Sequence, residues 1–128
     1  MPSTALAVHA AVNHFFLLAD DGRVRALGGR RAGFEGWVTG LKEAPDSAAV
    51  HGDVWERHTG GDELLTLLQG EIVLHWMDEA GAVERQCLRA GESVIVPCGR
   101  WHRLEVTCPS QLFFATPSQG SELRRVEP

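Results

Sequence analysis

The chain contains no tyrosine, so no phenolic acid or base is available to it. Its three cysteines, Cys87, Cys98 and Cys108, are odd in number and show no C-x2-C spacing, which argues against a disulfide framework. Reduced thiols in a cytoplasm are the matching expectation. No apolar run approaches the roughly 20 residues that a helix needs to cross a bilayer. No basic residue precedes His9, and the early apolar stretches are broken by His9, Asn13 and His14, unlike a signal peptide. An excess of positive charge is also missing. The net charge of −5 favours neither a phosphate backbone nor an anionic membrane as partner. The arginine pairs at 30–31 and 124–125 are too short to count as patches. There is no G-x-S-x-G, no phosphate-binding loop, no dinucleotide glycine pattern and no HExxH. Neither an internal repeat nor a low-complexity segment is visible.

What is present is an ordinary globular composition. The 128 residues are 44% hydrophobic and 23% charged, enough for one domain with a real core and no disulfides to hold it. Short alternating segments are separated by turn residues. Residues 13–19 (NHFFLLA) and 23–27 (RVRAL) flank Asp20-Asp21-Gly22 and read as a hairpin. The glycine-rich stretch 28–36 is a loop, 36–41 a strand, and 43–47, with Pro45, another loop. From residue 49 onward the strands expected are 49–58, 63–68, 71–77, 83–88, 93–96, 101–106, 111–115 and 123–126. Turns at intervals of roughly 8 to 12 residues predict an all-β sandwich or barrel. Only 4–12 suggests a short helix. In Leu64-Leu65-Thr66-Leu67-Leu68 leucines fall on both strand faces, so both need cover. One cover is the interior. The other is the N-terminal segment or a second copy, and a homodimer is the expectation.

Chemistry concentrates in four residues. Glu56 and His58 lie two apart on a predicted strand and share a face. Glu63 follows after one turn, and His102 comes just past Pro97-Cys98-Gly99. Converging in a barrel mouth, two carboxylates and two imidazoles suit a divalent ion such as iron, manganese, zinc, nickel or copper. The two negative charges also balance a 2+ ion, which lowers the cost of burying the set. Any one of these residues alone is ordinary surface or core. His9, His14, His51 and His75 lack ligand spacing and read as structural. Trp55 and Trp101, each next to a candidate ligand, are expected to point away from it. Cys98 either reaches the pocket or fills space.

The segment from Trp55 through Glu56, His58 and Glu63 to Gly70 resembles the first cupin motif, G-x5-H-x-H-x(3,4)-E-x6-G. Glu56 stands where the first histidine would be. The segment Gly91 to His102, with Pro97 and Gly99, is similar to the second motif, G-x5-P-x-G-x2-H-x3-N, with Val106 in place of the final asparagine. The resemblance implies a cupin double-stranded β-helix, a jelly-roll-like barrel of six or more strands, forming one domain over 1–128. Its barrel would span about 36–118, with N-terminal strands at 13–27. It further implies metal ligands at Glu56, His58, Glu63 and His102. Two readings of Glu56 follow: a harder, more anionic metal site, or a lineage whose metal affinity has faded.

Two function classes remain. One is a metal-dependent enzyme acting on a small organic molecule by oxygenase or isomerase chemistry, with Glu56 or Glu63 as base when not bound to metal. The other is a non-catalytic module that captures a small ligand as a sensor or store, without an obligatory metal. No helix-turn-helix is attached, which argues against a one-chain transcription regulator.

Overall fold

A computed structural model describes residues 5–27 and 35–126. Among these residues there are eleven strands and one 3-10 turn. The strands are β1 Phe15–Ala19, β2 Val24–Leu27, β3 Gly36–Ala44, β4 Val54–His58, β5 Glu63–Gln69 and β6 Glu71–Met77. They continue with β7 Val83–Arg89, β8 Ser93–Val96, β9 His102–Val106, β10 Ser110–Pro117 and β11 Ser121–Arg125. Two antiparallel sheets form, ordered β2-β1-β3-β10-β5-β8 and β11-β4-β9-β6-β7. The all-β expectation is met.

Period-2 alternation writes the interior directly. Along β5 the side chains of Glu63, Leu65 and Leu67 are buried, and along β10 those of Ser110, Leu112, Phe114 and Thr116. Of these, Leu65, Leu67, Leu112 and Phe114 join Ile72, Leu74 and Leu104 of the second sheet in one apolar core. Sequence left open which face of β6 points inward. Ile72, Leu74 and Trp76 take the core side, while His75 is held on the other face by Glu105 at 2.8 Å.

Two of the crossings between sheets that position the site pass through Gly70 and Gly99. Gly70 (φ +90°) links β5 to β6. A Cβ there would collide with the Ser110 hydroxyl and lie 2.7 Å from the Pro109 carbonyl. Gly99 (φ +78°) lies on the crossing from β8 to β9. Both positions need the left-handed region that glycine enters without a Cβ penalty.

Some expectations shift. The short helix expected over 4–12 does not form across the described residues 5–11. Leu6 and Val8 are 92% and 95% exposed, so no packing supports a helix too short to stand alone. Residues 49–53 are not strand. Ser47–Val50 makes a 3-10 turn capped by Asp46, whose carboxylate accepts from the Ala49 amide, and His51 closes it at φ +52°. β3 runs on to Ala44 because Ser110 of β10 pairs with it there. The glycine-rich loop lies outside the described residues up to residue 34. Among the described residues no helix is long and apolar enough to cross a membrane.

Candidate metal centre

Pairing brings the four candidate residues together. Glu56 on β4 is the direct cross-strand partner of His102 on β9. His58 lies two residues further along β4 and is buried with its ring turned inward. Glu63 opens β5 in the opposite sheet and is 5% exposed. The two motif loops are tied to each other. The Gly99 amide donates to the His58 carbonyl at 2.7 Å, and the Cys98 amide donates to the Asp62 carboxylate at 2.8 Å. The loop that delivers His102 is thus bonded to the turn that delivers Glu63.

One ligand atom from each of Glu56, His58, Glu63 and His102 lies within 4.8 Å of the other three. Glu63 bridges the two imidazoles, with one oxygen 2.9 Å from His102 Nε2 and the other 3.2 Å from His58 Nε2. Glu56 Oε1 is 3.4 Å from His58 Nε2. The outer ring nitrogens are held elsewhere. His102 Nδ1 donates to the Arg100 carbonyl at 3.0 Å, and His58 Nδ1 lies 3.0 Å from the Ser121 hydroxyl on β11. Such bonds fix each ring and leave Nε2 facing the carboxylates, the arrangement that outer partners impose on metal-binding histidines.

The electrostatics calls for positive charge at the centre. Burial favours neutral Glu63, but hydrogen bonds from His102 and His58 outweigh it and hold its pKa down at about 2. Burial pulls His58 down, and the carboxylates of Glu56 and Glu63 beside it push it up to about 9. His102 is likewise lowered by burial and raised on balance by Glu63. Glu56 is raised by burial and lowered on balance by His58. With both imidazoles raised, two imidazolium charges would balance the two carboxylates, and one divalent ion carries the same charge. His58 Nε2 is also buried, and it meets its two carboxylate oxygens only at 3.2 and 3.4 Å, with no well-aligned acceptor. A buried polar atom left in that state costs about 1–3 kcal/mol, and coordination would satisfy it. The donor set therefore fits a divalent transition metal.

A cavity of about 320 Å³ opens beside the cluster. Glu56, Glu63 and His102 line one part of it, and Leu65, Leu112 and Phe114 line an apolar part. Phe15 and Phe114 meet edge to face, with ring centres 5.5 Å apart. Cys98 does not line the cavity, and its thiol donates to the Thr59 carbonyl at 3.4 Å. Trp55 and Trp101 point away from the cluster and carry arginines, Arg103 over Trp55 at 5.3 Å and Arg57 over Trp101 at 4.6 Å. Sequence reasoning missed Ser121 and Lys42. Ser121 comes from a C-terminal strand whose pairing with β4 leaves no local signal. Lys42 lines the cavity from β3, outside both motifs.

The family model described as "Cupin domain" matches residues 47–114. An uncharacterized protein, YdbB of Bacillus subtilis (strain 168), is 37% identical over 49 residues, which are 38% of this chain and 40% of that protein. The chain thus matches well under half the length of that relative. Among solved structures, a cupin-2 domain protein from Shewanella frigidimarina superposes with a TM-score of 0.50 at 18% identity, covering 63% of this chain and 70% of that one. Oxalate decarboxylase from Bacillus subtilis, a protein described with Mn(II) centers, gives a TM-score of 0.55 at 14% identity, over 67% of this chain and 22% of that one.

Proposed function

We propose, for a chain that belongs to the cupin domain family, that Glu56, His58, Glu63 and His102 hold one divalent transition metal and that a small organic molecule binds beside it. The convergence of four ligand atoms at the wall of a largely apolar cavity carries this reading. When bound, such an ion supplies a Lewis acid at neutral pH. The protein's own residues do the rest. Arg100 and Ser121 aim the imidazoles, and the leucines and Phe114 exclude water from the bound molecule. Glu56 is the most exposed of the four and lines the cavity, so when it is not bound to the metal it is the carboxylate placed to accept a proton from that molecule. Proton transfer of this kind suits an isomerase, and the same centre suits an oxygenase. The alternative is a sensor or storage module that uses the cavity without turnover.

Elemental analysis of freshly purified and reconstituted protein tests the reading, with Glu56→Ala and His102→Ala alongside. About one metal per wild-type chain, lost in His102→Ala, is expected. A wild type that neither carries nor takes up metal would sink it. Metal without turnover across a panel of small acids, sugars and thiols would favour the binding module. Three free, exposed cysteines support a reducing compartment such as the cytoplasm. We further propose a homodimer through the outer face of the six-stranded sheet, where Leu68 and Ile95 remain exposed.

A further inference from the structure

Lys42 is the only lysine in the 128 residues; the other eleven of the twelve basic Lys and Arg side chains are arginines. Strand alternation puts it on the inner face of β3 with the buried Val38, Gly40 and Ala44, and it lines the cavity. Its cross-strand partner on β10 is Leu112, which in turn pairs with Leu67 on β5. Glu63 lies four residues back along β5, about 13 Å at the strand rise. The cavity thus has a carboxylate–imidazole cluster toward one end and a single ammonium toward the other. The wall between them is apolar, formed by Leu65, Leu112 and Phe114.

Among the described residues the Lys42 ammonium makes no hydrogen bond or ion pair. Among the described residues the cavity's only carboxylates are Glu56 and Glu63, which already face the histidines. Arg103 also lines the cavity, but its guanidinium donates to the Gly52 carbonyl and stacks on Trp55. A half-buried cation in an apolar wall is costly unless it meets an anion. With Glu56 and Glu63 balanced at the cluster, the positive charge of Lys42 is left for the occupant. Gly40 shapes the middle of the path, since a Cβ there would come within 2.8 Å of the Phe15 ring and 2.9 Å of the Phe114 ring.

We propose that Lys42 anchors an anionic group of the cavity's ligand, so that the ligand class is small organic acids with a second polar end directed at the Glu56–His58–Glu63–His102 cluster. This rests on the metal-site reading for the second end and stands on its own for the first. The probes are glutarate and valerate, equal in carbon count and differing in one terminal carboxylate. They are titrated calorimetrically into the full chain supplied with Mn2+, with metal content measured on the same samples. Glutarate is expected to bind about tenfold tighter than valerate, the scale of one hydrogen bond to a charged group. Lys42→Met should bring that ratio to about one with metal content unchanged, and Lys42→Arg should keep it.

The lone lysine gives a second readout. Glutarate, more than valerate, should slow acylation of Lys42 by an amine-selective reagent, followed by peptide mass. Equal affinities in wild type, a preference that survives Lys42→Met, or no binding of either acid would overturn the proposal. Metal binding without the glutarate preference would sink only the lysine anchor. A Lys42-dependent preference in protein that takes up no metal would sink only the metal reading.

Discussion

Glu63 is the residue on which the cluster depends, because it alone contacts both imidazoles. Glu63→Gln removes the charge, keeps the shape and leaves one acceptor oxygen where two buried rings each had one. A loss of about 1–3 kcal/mol in metal-free stability is expected by chemical denaturation, together with loss of bound metal. The pH dependence follows from the shifts. The His58 pKa rises from 6.5 to about 9, so its stabilisation is complete below 6.5 and fades as pH rises through 9. The Glu63 pKa falls from 4.5 to about 2, so its stabilisation is complete above 4.5 and fades as pH drops through 2. Metal-free protein should therefore melt highest between pH 4.5 and 6.5. Metal needs neutral imidazoles, so binding should release about two protons in that window. The rise in melting temperature on adding metal should be larger at pH 8 than at pH 6. Thermal melts across pH, with and without Mn2+, check both trends, and a metal effect that shrinks with rising pH would contradict the charge exchange.

At the scale of elements, two connections set the geometry. Asp62 fastens the Pro97–Trp101 crossing to the turn before β5, without touching any candidate ligand atom. Asp62→Ala should lower metal affinity about tenfold, the lower end of what outer partners contribute, while leaving the ligand set whole. Competition with a chelator would measure it, and an unchanged affinity would show that the Gly99–His58 bond is sufficient. The two crossing glycines separate conformational strain from crowding. Gly99→Ala meets open space and should cost about 1–2 kcal/mol for the left-handed backbone alone. Gly70→Ala adds a collision with Ser110 and the Pro109 carbonyl and should cost more, read by urea denaturation. Both glycines were legible as turn positions in sequence. The extra crowding at Gly70 was not, because Ser110 arrives from forty residues downstream.

For the whole molecule, the leucines of β5 divide as the strand period requires. Leu65 and Leu67 are core, and Leu64 and Leu68 face outward, Leu64 opposite Ile95 of β8. Leu68 stays 42% exposed and Ile95 65% exposed, on a part of the sheet that the N-terminal strands, at its far edge, do not reach. Light scattering should return the mass of two chains. The double variant Leu68→Glu, Ile95→Glu should return one, with the cluster's metal content unaffected. A single-chain mass for wild type would remove the proposed dimer.

The sequence by itself determined the barrel and the membership of the cluster. Alternation along β5 and β10, turn glycines and the two motifs are local signals that survive without knowledge of what lies opposite. They named Glu56, His58, Glu63 and His102, but not their contacts. The tertiary structure decided that Glu63 bridges both imidazoles, that Arg100 and Ser121 aim the rings, and that β6 turns Ile72 rather than His75 inward. It also decided that Lys42 belongs to the cavity. These are relations between strands distant in sequence, fixed by sheet register and by which face two sheets share. A period-2 pattern is unchanged when a whole strand is turned over, so only packing against the opposite sheet could choose.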